Sequence, residues 1–212
     1  MSRLSLAKPG KIVAVGLNYR SHAGELAMPA PEEPILFLKP PSAVIGSGES
    51  IVLPSGAGRV DYEGELSLVI GKQARRVPQS AAAGYILGYT CANDVTAREL
   101  QQRDGQWTRS KSFDTFCPLG PWVETEPPAP DTRVELLLNG EVRQSAPIAD
   151  MIFSPLKLVA FISSVMTLEP GDVILTGTPS GIGELVPGDE AVVKIAGVGV
   201  LVSKVRSGEF GE

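Results

Sequence analysis

Two glutamates, Glu63 and Glu65, lie two residues apart in the segment DYEGELSLVI, residues 61–70, which has the composition of a β-strand. Residues two apart in a strand share a face, so both carboxylates point the same way and Gly64 lies on the other face. Two like charges leading into an apolar run are unfavourable unless a positive group sits between them. A divalent cation would serve, because hard cations bind carboxylate oxygens. The alternative is a solvated strand end where both glutamates face water.

A third carboxylate, Asp94, lies where a predicted strand over residues 85–92 gives way to a predicted helix over residues 97 to about 103. Taken alone, an aspartate at such a junction commonly fixes a turn. Together with Glu63 and Glu65 it would complete a three-carboxylate site. Such a site suits Mg²⁺ or Mn²⁺ and leaves open positions for a substrate.

The same predicted helix carries two further features. Thr96 and Glu99 have the spacing of a capping box, so we interpret Glu99 as part of the helix start rather than as chemistry. Gln101 lies further along the helix and could face the ion, although most exposed glutamines have no such role.

The only histidine of the chain, His22, lies three residues before Glu25 in a short predicted helix with Ser21 as its N-cap. This spacing places His22 and Glu25 on one helix face. A carboxylate beside an imidazole orients the ring and raises its basicity, which is what the activation of a water molecule requires. The alternative is a surface pair that contributes little to stability.

One lysine, Lys111, stands close in sequence to Trp107, Phe113 and Phe116, which predicts partial desolvation of its ammonium group. A buried lysine has a lowered pKa and can move protons. An ordinary surface lysine is the alternative.

Residues 176–183, with the sequence TGTPSGIG, form a glycine-rich loop. The loop lacks the lysine of a phosphate-binding loop and precedes no clear helix. Its backbone N–H groups, including that of Gly177, could hold a carboxylate. A wide turn between strands is the alternative.

Predicted strands outnumber predicted helices along the chain. Asn139-Gly140 predicts a β-hairpin, a helix is predicted over residues 155–166, and a last hairpin joins residues 192–195 to 200–205. The order of elements is not a regular βαβ alternation, which indicates a β-rich α+β fold. A length of 212 residues fits one domain.

The composition excludes several classes of function. The net charge is −5 with acids and bases interspersed, which argues against a nucleic-acid or membrane-surface partner. No apolar run is long enough to span a bilayer, and residues 1–10 lack a secretory signal. Cys91 and Cys117 have neither metal nor redox spacing, so we expect reduced, buried thiols in a cytoplasmic protein.

Six motifs occur together in one order and resemble the fumarylacetoacetate hydrolase family. The resemblance covers about residues 11–205, and the chain length is similar to that of the short, single-domain members. The motifs are GLNYRSHAGE (16–25), PILFLKP (34–40), DYEGEL (61–66), NDVTAR (93–98), KSFD (111–114) and GDVILTGTPSGIG (171–183).

The resemblance implies a mixed β-sandwich roll with a few short helices, a homodimer, and Mg²⁺ or Mn²⁺ as the cofactor. It also implies specific roles for the candidate residues. The implied roles are metal binding by Glu63, Glu65 and Asp94, proton handling by Lys111, a lid carrying His22 and Glu25, and substrate binding by Gln101 and Thr178, to which we add Gly177.

These observations predict a metal-dependent enzyme for a small 2-oxo or 2-hydroxy-dienoic dicarboxylic acid, working through a metal-bound enolate. The isomerase or decarboxylase type of homoprotocatechuate breakdown, a route of aromatic-compound catabolism, is the first hypothesis. An acylpyruvate hydrolase and an oxaloacetate decarboxylase or tautomerase are alternatives. The non-enzyme alternatives are a catalytically silent metal-binding protein with this fold and a metal-free β-domain that binds a sugar or carboxylate.

Overall fold

The structure is a computed structural model that describes residues 3–4, 8–25 and 29–208. Strands make up 42% and helices 19% of it, with four α-helices. The strands are β1 (Arg3–Leu4), β2 (Ile12–Gly16), β3 (Ile35–Lys39), β4 (Val44–Ile45), β5 (Ser50–Leu53), β6 (Val60–Tyr62), β7 (Gly64–Ile70), β8 (Ile86–Asn93), β9 (Thr96–Ala97), β10 (Cys117–Glu124), β11 (Arg133–Leu138), β12 (Glu141–Pro147), β13 (Val173–Leu175), β14 (Gly183–Glu184), β15 (Glu190–Ile195) and β16 (Gly199–Ser207). The α-helices are α1 (Arg20–Glu25), α2 (Arg98–Asp104), α3 (Thr108–Lys111) and α4 (Pro155–Val165).

The strands form three sheets. The largest has eight strands in the order β1-β10-β8-β7-β13-β2-β3, with β4 beside β10; a five-stranded sheet runs β12-β11-β15-β16-β5, and a small one β14-β6-β9. Most pairs are antiparallel, while β13–β2, β10–β4 and β16–β5 are parallel. The sheets are curled. The predicted β-rich α+β fold with a mixed β-sandwich roll is confirmed.

The central strands of the large sheet are buried on both faces. Along β13, Ile174 belongs to a core cluster that includes α4 residues such as Leu158. Its neighbours Val173 and Leu175 belong to a second cluster on the opposite face. A third cluster includes Leu66 of β7 and Leu136 of the five-stranded sheet. Because strands buried on both faces move little, β7 and its neighbours form a rigid support for the side chains at their ends.

The predicted strand over residues 61–70 is interrupted at Glu63. Its first part, β6, pairs in the small sheet, and its second part, β7, pairs in the large one. At the interruption, the N–H of Glu63 donates to the Asn93 side chain at 2.9 Å and its carbonyl accepts the N–H of Asp94 at 2.8 Å. The chain therefore changes sheets at the first of the two glutamates.

Two predicted helix starts are wrong. Ser21 lies inside α1, where its hydroxyl donates to Asp150 at 2.7 Å instead of capping the helix. Thr96 pairs with Asp61 in the small sheet and its hydroxyl donates to the carbonyl of Asp94, so the capping box with Glu99 does not form. Helix α1 begins one residue before Ser21 and α2 begins two residues after Thr96, so neither residue occupies the N-cap position.

The predicted hairpins and the long helix are confirmed. Asn139 and Gly140 both have positive φ, +53° and +83°, as the tight turn between β11 and β12 requires. The last hairpin is β15–β16. Helix α4 begins after Ser154, whose hydroxyl accepts the N–H of Lys157. Within the described ranges, no helix combines the length and the apolar character needed to cross a membrane.

Candidate active site

The three predicted acidic residues converge at one end of the β7–β8 pair. Gly64 lies opposite Asn93 and Glu65 opposite Ala92 in this antiparallel register, so Asp94 is brought beside Glu63. One carboxylate oxygen from each of Glu63, Glu65 and Asp94 lies within 4.8 Å of the others, and all three residues are buried. The structure thus brings together residues that are up to 31 positions apart in the chain.

Close packing at Gly64 leaves the two glutamates on the opposite face of the strand. A Cβ built at this position would lie 3.0 Å from the Cβ of Leu136 and 3.3 Å from the side-chain oxygen of Gln144. Gln144 also accepts the N–H of Gly64 at 2.8 Å. The five-stranded sheet therefore packs directly on the backbone of Gly64, and the two glutamates occupy the opposite face.

Two buried lysines contact the acidic residues. The ammonium group of Lys111, at the end of α3, donates to Glu63 Oε2 at 2.9 Å and to Asp94 Oδ2 at 2.6 Å. Lys39, at the end of β3, donates to Asp94 Oδ1 at 2.5 Å and to the Val95 carbonyl at 3.2 Å. Each oxygen of Asp94 is thus bound to a different lysine.

Arg98, the first residue of α2, connects the acidic cluster to its surroundings. Its Nη2 donates to Glu63 Oε1 at 2.6 Å, its Nη1 to the Gln101 side-chain oxygen at 2.7 Å, and its Nε to Asp61 at 2.9 Å. Asp61 is buried and also accepts from Arg59 at 2.6 Å. Three partners in three directions hold the guanidinium group in one orientation.

The electrostatic environments of the two glutamates differ. Burial acts to raise the pKa of Glu63, but Lys111 and Arg98 outweigh it and lower that pKa to about 2. Burial, Asp94 and Glu63 together raise the pKa of Glu65 well above its usual value. Within the described residues, the cations therefore form ion pairs with Glu63 and Asp94, and none forms an ion pair with Glu65.

The predicted lowered pKa of Lys111 is wrong for the structure as it stands. Burial acts to lower this pKa, but the neighbouring carboxylates of Asp94 and Glu63 raise it above its usual value. The aromatic surroundings are present, since Nζ lies 4.9 Å from the centre of the Phe37 ring. Sequence proximity to aromatic residues indicated the burial of Lys111 but not the ion pairs that it makes.

The glycine-rich loop binds a carboxylate of the protein itself. The N–H of Gly177 donates to Glu65 Oε2 at 2.7 Å. Gly177 has φ +96°, and a Cβ there would lie 2.7 Å from the Cβ of Asn18, so a side chain would not fit. The hydroxyl of Thr178 donates to the Gly64 carbonyl at 2.9 Å and accepts from Gln144. The loop supports the acidic cluster, and substrate contacts by Gly177 and Thr178 stay predictions.

A cavity of about 240 Å³ opens onto the acidic cluster. Its polar side includes Arg98, Gln101 and Thr178, so two of the predicted substrate-binding side chains reach it. The lining also includes an apolar wall. The residues of this wall are Val15, Leu17, Phe37 and Trp107.

The other predicted catalytic pair cannot be placed in the same way. His22 and Glu25 both belong to α1. Their side chains lie outside the described part of the structure. Their roles stay predictions.

The chemistry of the acidic cluster fits a hard divalent ion. Three carboxylate groups offer the oxygen ligands that Mg²⁺ and Mn²⁺ prefer. The raised pKa of Glu65 has burial and its two acidic neighbours as causes, which is the situation that an added positive charge relieves. Glu63, Glu65 and Asp94 would hold such an ion.

Several residues of the site were not predicted from the sequence. Only the structure shows the ion pairs of Lys39 and Arg98. It alone also places Phe37 and Trp107 in the cavity lining. A signal existed for Lys39, because a charged residue ends the apolar run ILFLK just before Pro40. Such a lysine is also an ordinary strand end, so the pattern does not distinguish the two.

Comparison with known proteins agrees with the family that the sequence motifs resemble. The family described as "Fumarylacetoacetate (FAA) hydrolase C-terminal" matches residues 11–206. The mitochondrial oxaloacetate tautomerase Fahd2a of Rattus norvegicus is 40% identical over 211 residues, which are 94% of this chain and 67% of the relative.

Two solved structures are similar over nearly the whole chain. The 5-carboxymethyl-2-hydroxymuconate delta-isomerase from Mycobacterium smegmatis superposes with a TM-score of 0.90 at 47% identity, covering 97% of this chain and 81% of that one. The 2-hydroxyhepta-2,4-diene-1,7-dioate isomerase from Mycobacterium marinum gives 0.89 at 44% identity, with coverages of 97% and 77%. The chain belongs to the fumarylacetoacetate hydrolase family.

Proposed function

We propose that this chain is an isomerase or decarboxylase for a 2-oxo or 2-hydroxy-dienoic dicarboxylic acid, with Mg²⁺ or Mn²⁺ held by Glu63, Glu65 and Asp94. The named relatives are isomerases and tautomerases, which supports an enzyme of that general kind. The observation that carries the proposal is the buried cluster of three carboxylates beside Lys111, since all four residues line the 240 Å³ cavity.

Each residue of the site has a defined task in this proposal. When bound, the ion would supply positive charge to the oxygen atoms of the substrate's 2-oxo acid end. Lys111, which lies in the cavity beside Glu63 and Asp94, would donate or remove the proton at C3 of the substrate. Arg98 keeps the Glu63 carboxylate in place through its three hydrogen bonds. Gln101 would orient the acid.

A second candidate is an oxaloacetate tautomerase, which the similarity to the Rattus norvegicus enzyme favours. The same proton transfer at C3 would interconvert the keto and enol forms. A hydrolase would in addition need a water-activating group, the task that we propose for His22 with Glu25. The assembly is proposed to be a homodimer of one-domain chains, which size-exclusion chromatography with light scattering tests.

The decisive assay uses the purified chain with Mg²⁺ or Mn²⁺, and with EDTA, against oxaloacetate, acylpyruvates and 2-hydroxyhepta-2,4-diene-1,7-dioate. Product analysis separates isomerisation, decarboxylation and hydrolysis. The variant Lys111→Met keeps side-chain length but removes the ammonium group. It should lower kcat at least about 100-fold, the usual scale for a lost acid–base group.

The matched control is Lys157→Met, since Lys157 is exposed on α4, and this variant should keep wild-type activity. Metal binding should survive in Lys111→Met, because the three carboxylates remain. Full activity of Lys111→Met, or no turnover of any of these acids by the wild-type protein, would refute the proposal. The second result would instead support a catalytically silent protein with this fold.

A further inference from the structure

Trp107 is a fixed part of the cavity wall. Its carbonyl accepts the N–H of Lys111 at 3.1 Å and the hydroxyl of Ser110 at 2.8 Å, which ties its backbone to α3. The indole ring lies so close to Gly16 that a Cβ there would be 2.7 Å from a ring atom. The Phe37 ring meets the indole edge to face, with centres 5.3 Å apart and planes at 73°.

Trp107 and Phe37 form the aromatic wall of the cavity. This wall borders the same small space as the acidic cluster. Phe37 connects the aromatic wall to the acidic cluster, because its ring contacts Trp107 and also lies 4.9 Å from the Lys111 ammonium group. The cavity volume of about 240 Å³ is below the range of roughly 300–1,000 Å³ that is usual for drug-sized ligands. An acid whose oxo end lies at the carboxylates would therefore place its remaining carbons near the aromatic wall.

We propose that Trp107 is a specificity-determining residue that selects acids with a flat, conjugated arm beyond C3. The inference rests on the proposed function and narrows its substrate class. An indole ring held by Gly16 and Phe37 offers a preformed planar surface, and planar π systems stack on such surfaces. A short saturated acid such as oxaloacetate has no arm to place there. Trp107 would thus decide between two acids that share the same reacting end.

The test compares kcat/KM for 2-hydroxyhepta-2,4-diene-1,7-dioate and for oxaloacetate in Trp107→Ala and Trp107→Phe. The ratio of the two values should fall at least about 10-fold in Trp107→Ala, the lower end of what one apolar contact contributes to discrimination. Trp107→Phe keeps an aromatic ring and should lose less. Trp122→Phe is the matched control, because the chain has two tryptophans and Trp122 does not line the cavity. The control should keep the wild-type ratio.

Two results would overturn the inference. The ratio could stay within twofold of wild type, and an equal fall of both kcat/KM values would then be the sign of a merely structural role. Alternatively, the ratio could rise, which is the sign of a wall that excludes the arm. If Trp107→Ala does not fold, Trp107→Phe and Trp107→Leu are compared for the same ratio.

A binding measurement separates this inference from the proposed function. In the double variant Trp122→Phe/Lys111→Met, Trp107 is the only tryptophan and turnover should be suppressed. Titration with the conjugated acid should quench the emission of Trp107 in a saturable way, after inner-filter correction with free tryptophan amide, and oxaloacetate should not. Quenching without wild-type turnover would refute the proposed function alone. The absence of saturable quenching would refute the role of Trp107.

Discussion

The substitution Glu65→Gln tests the acidic cluster most directly. Glutamine has the shape of glutamate and keeps an oxygen that can accept the N–H of Gly177, now 2.7 Å from Glu65 Oε2. It removes the ionisable carboxyl group, whose pKa is raised by burial, Asp94 and Glu63 because its ionised form is unfavourable there. The new amide group can also donate to those carboxylates. The metal-free variant should therefore have a higher free energy of unfolding than the metal-free wild-type protein.

The response to metal should change in the opposite direction. At a metal concentration of about 100 times Kd, binding stabilises the wild-type protein by about 2.7 kcal/mol. For a chain of this length, 1 kcal/mol corresponds to about 2–4 °C, so the melting temperature should rise by about 5–10 °C. Glu65→Gln loses one of three ligands and one of three negative charges, and it should show little of this rise.

Thermal unfolding in EDTA and in a Mg²⁺ or Mn²⁺ series measures both effects, and isothermal titration calorimetry gives the affinity. Glu124→Gln is the matched control, since Glu124 is buried in β10 and does not line the cavity. That control should keep the full metal-induced rise. A Glu65→Gln protein with the same metal-induced rise as the wild type would refute the three-carboxylate site.

Three further predictions follow from buried groups. Lys39→Met should cost about 3 kcal/mol in urea unfolding with EDTA, the lower end for breaking a buried ion pair, because Asp94 keeps Lys111 but its Oδ1 loses the buried lysine; a loss below about 1 kcal/mol would contradict this. Gly177→Ala should destabilise more than Gly188→Ala, since both glycines have similar φ, +96° and +99°, but only the first faces a close contact; equal losses would contradict it. Burial raises the pKa of the Cys91 thiol from 9.0 to about 12. The folded state therefore holds this proton while the unfolded state releases it, so stability is lost as pH rises above 9.0, by up to about 1.4 kcal/mol per pH unit. Cys91→Ser should remove this part of the alkaline slope, and an unchanged slope would refute the assignment.

Local patterns predicted the elements that depend on neighbours in sequence. The Asn139-Gly140 turn formed as expected, because both residues tolerate positive φ and the flanking residues alternate in a strand. Ser21 and Thr96 failed as helix caps, because α1 already includes Ser21 and because Thr96 pairs with Asp61 in β9, so that α2 begins only at Arg98. Asp61 and Thr96 are distant in the chain, so a local cap pattern does not contain their pairing.

The sequence by itself predicted that Glu63 and Glu65 share one face, since a two-residue spacing in extended backbone places both side chains on the same side. It also supplied the family motifs that pointed to Asp94 and Lys111. Only the tertiary structure decided the charges around them, with Lys39 and Lys111 on Asp94 and Arg98 on Glu63, and the position of Trp107 against Gly16. Ion pairs and ring contacts join residues that are distant in the chain, and their formation depends on how the sheets and helices pack.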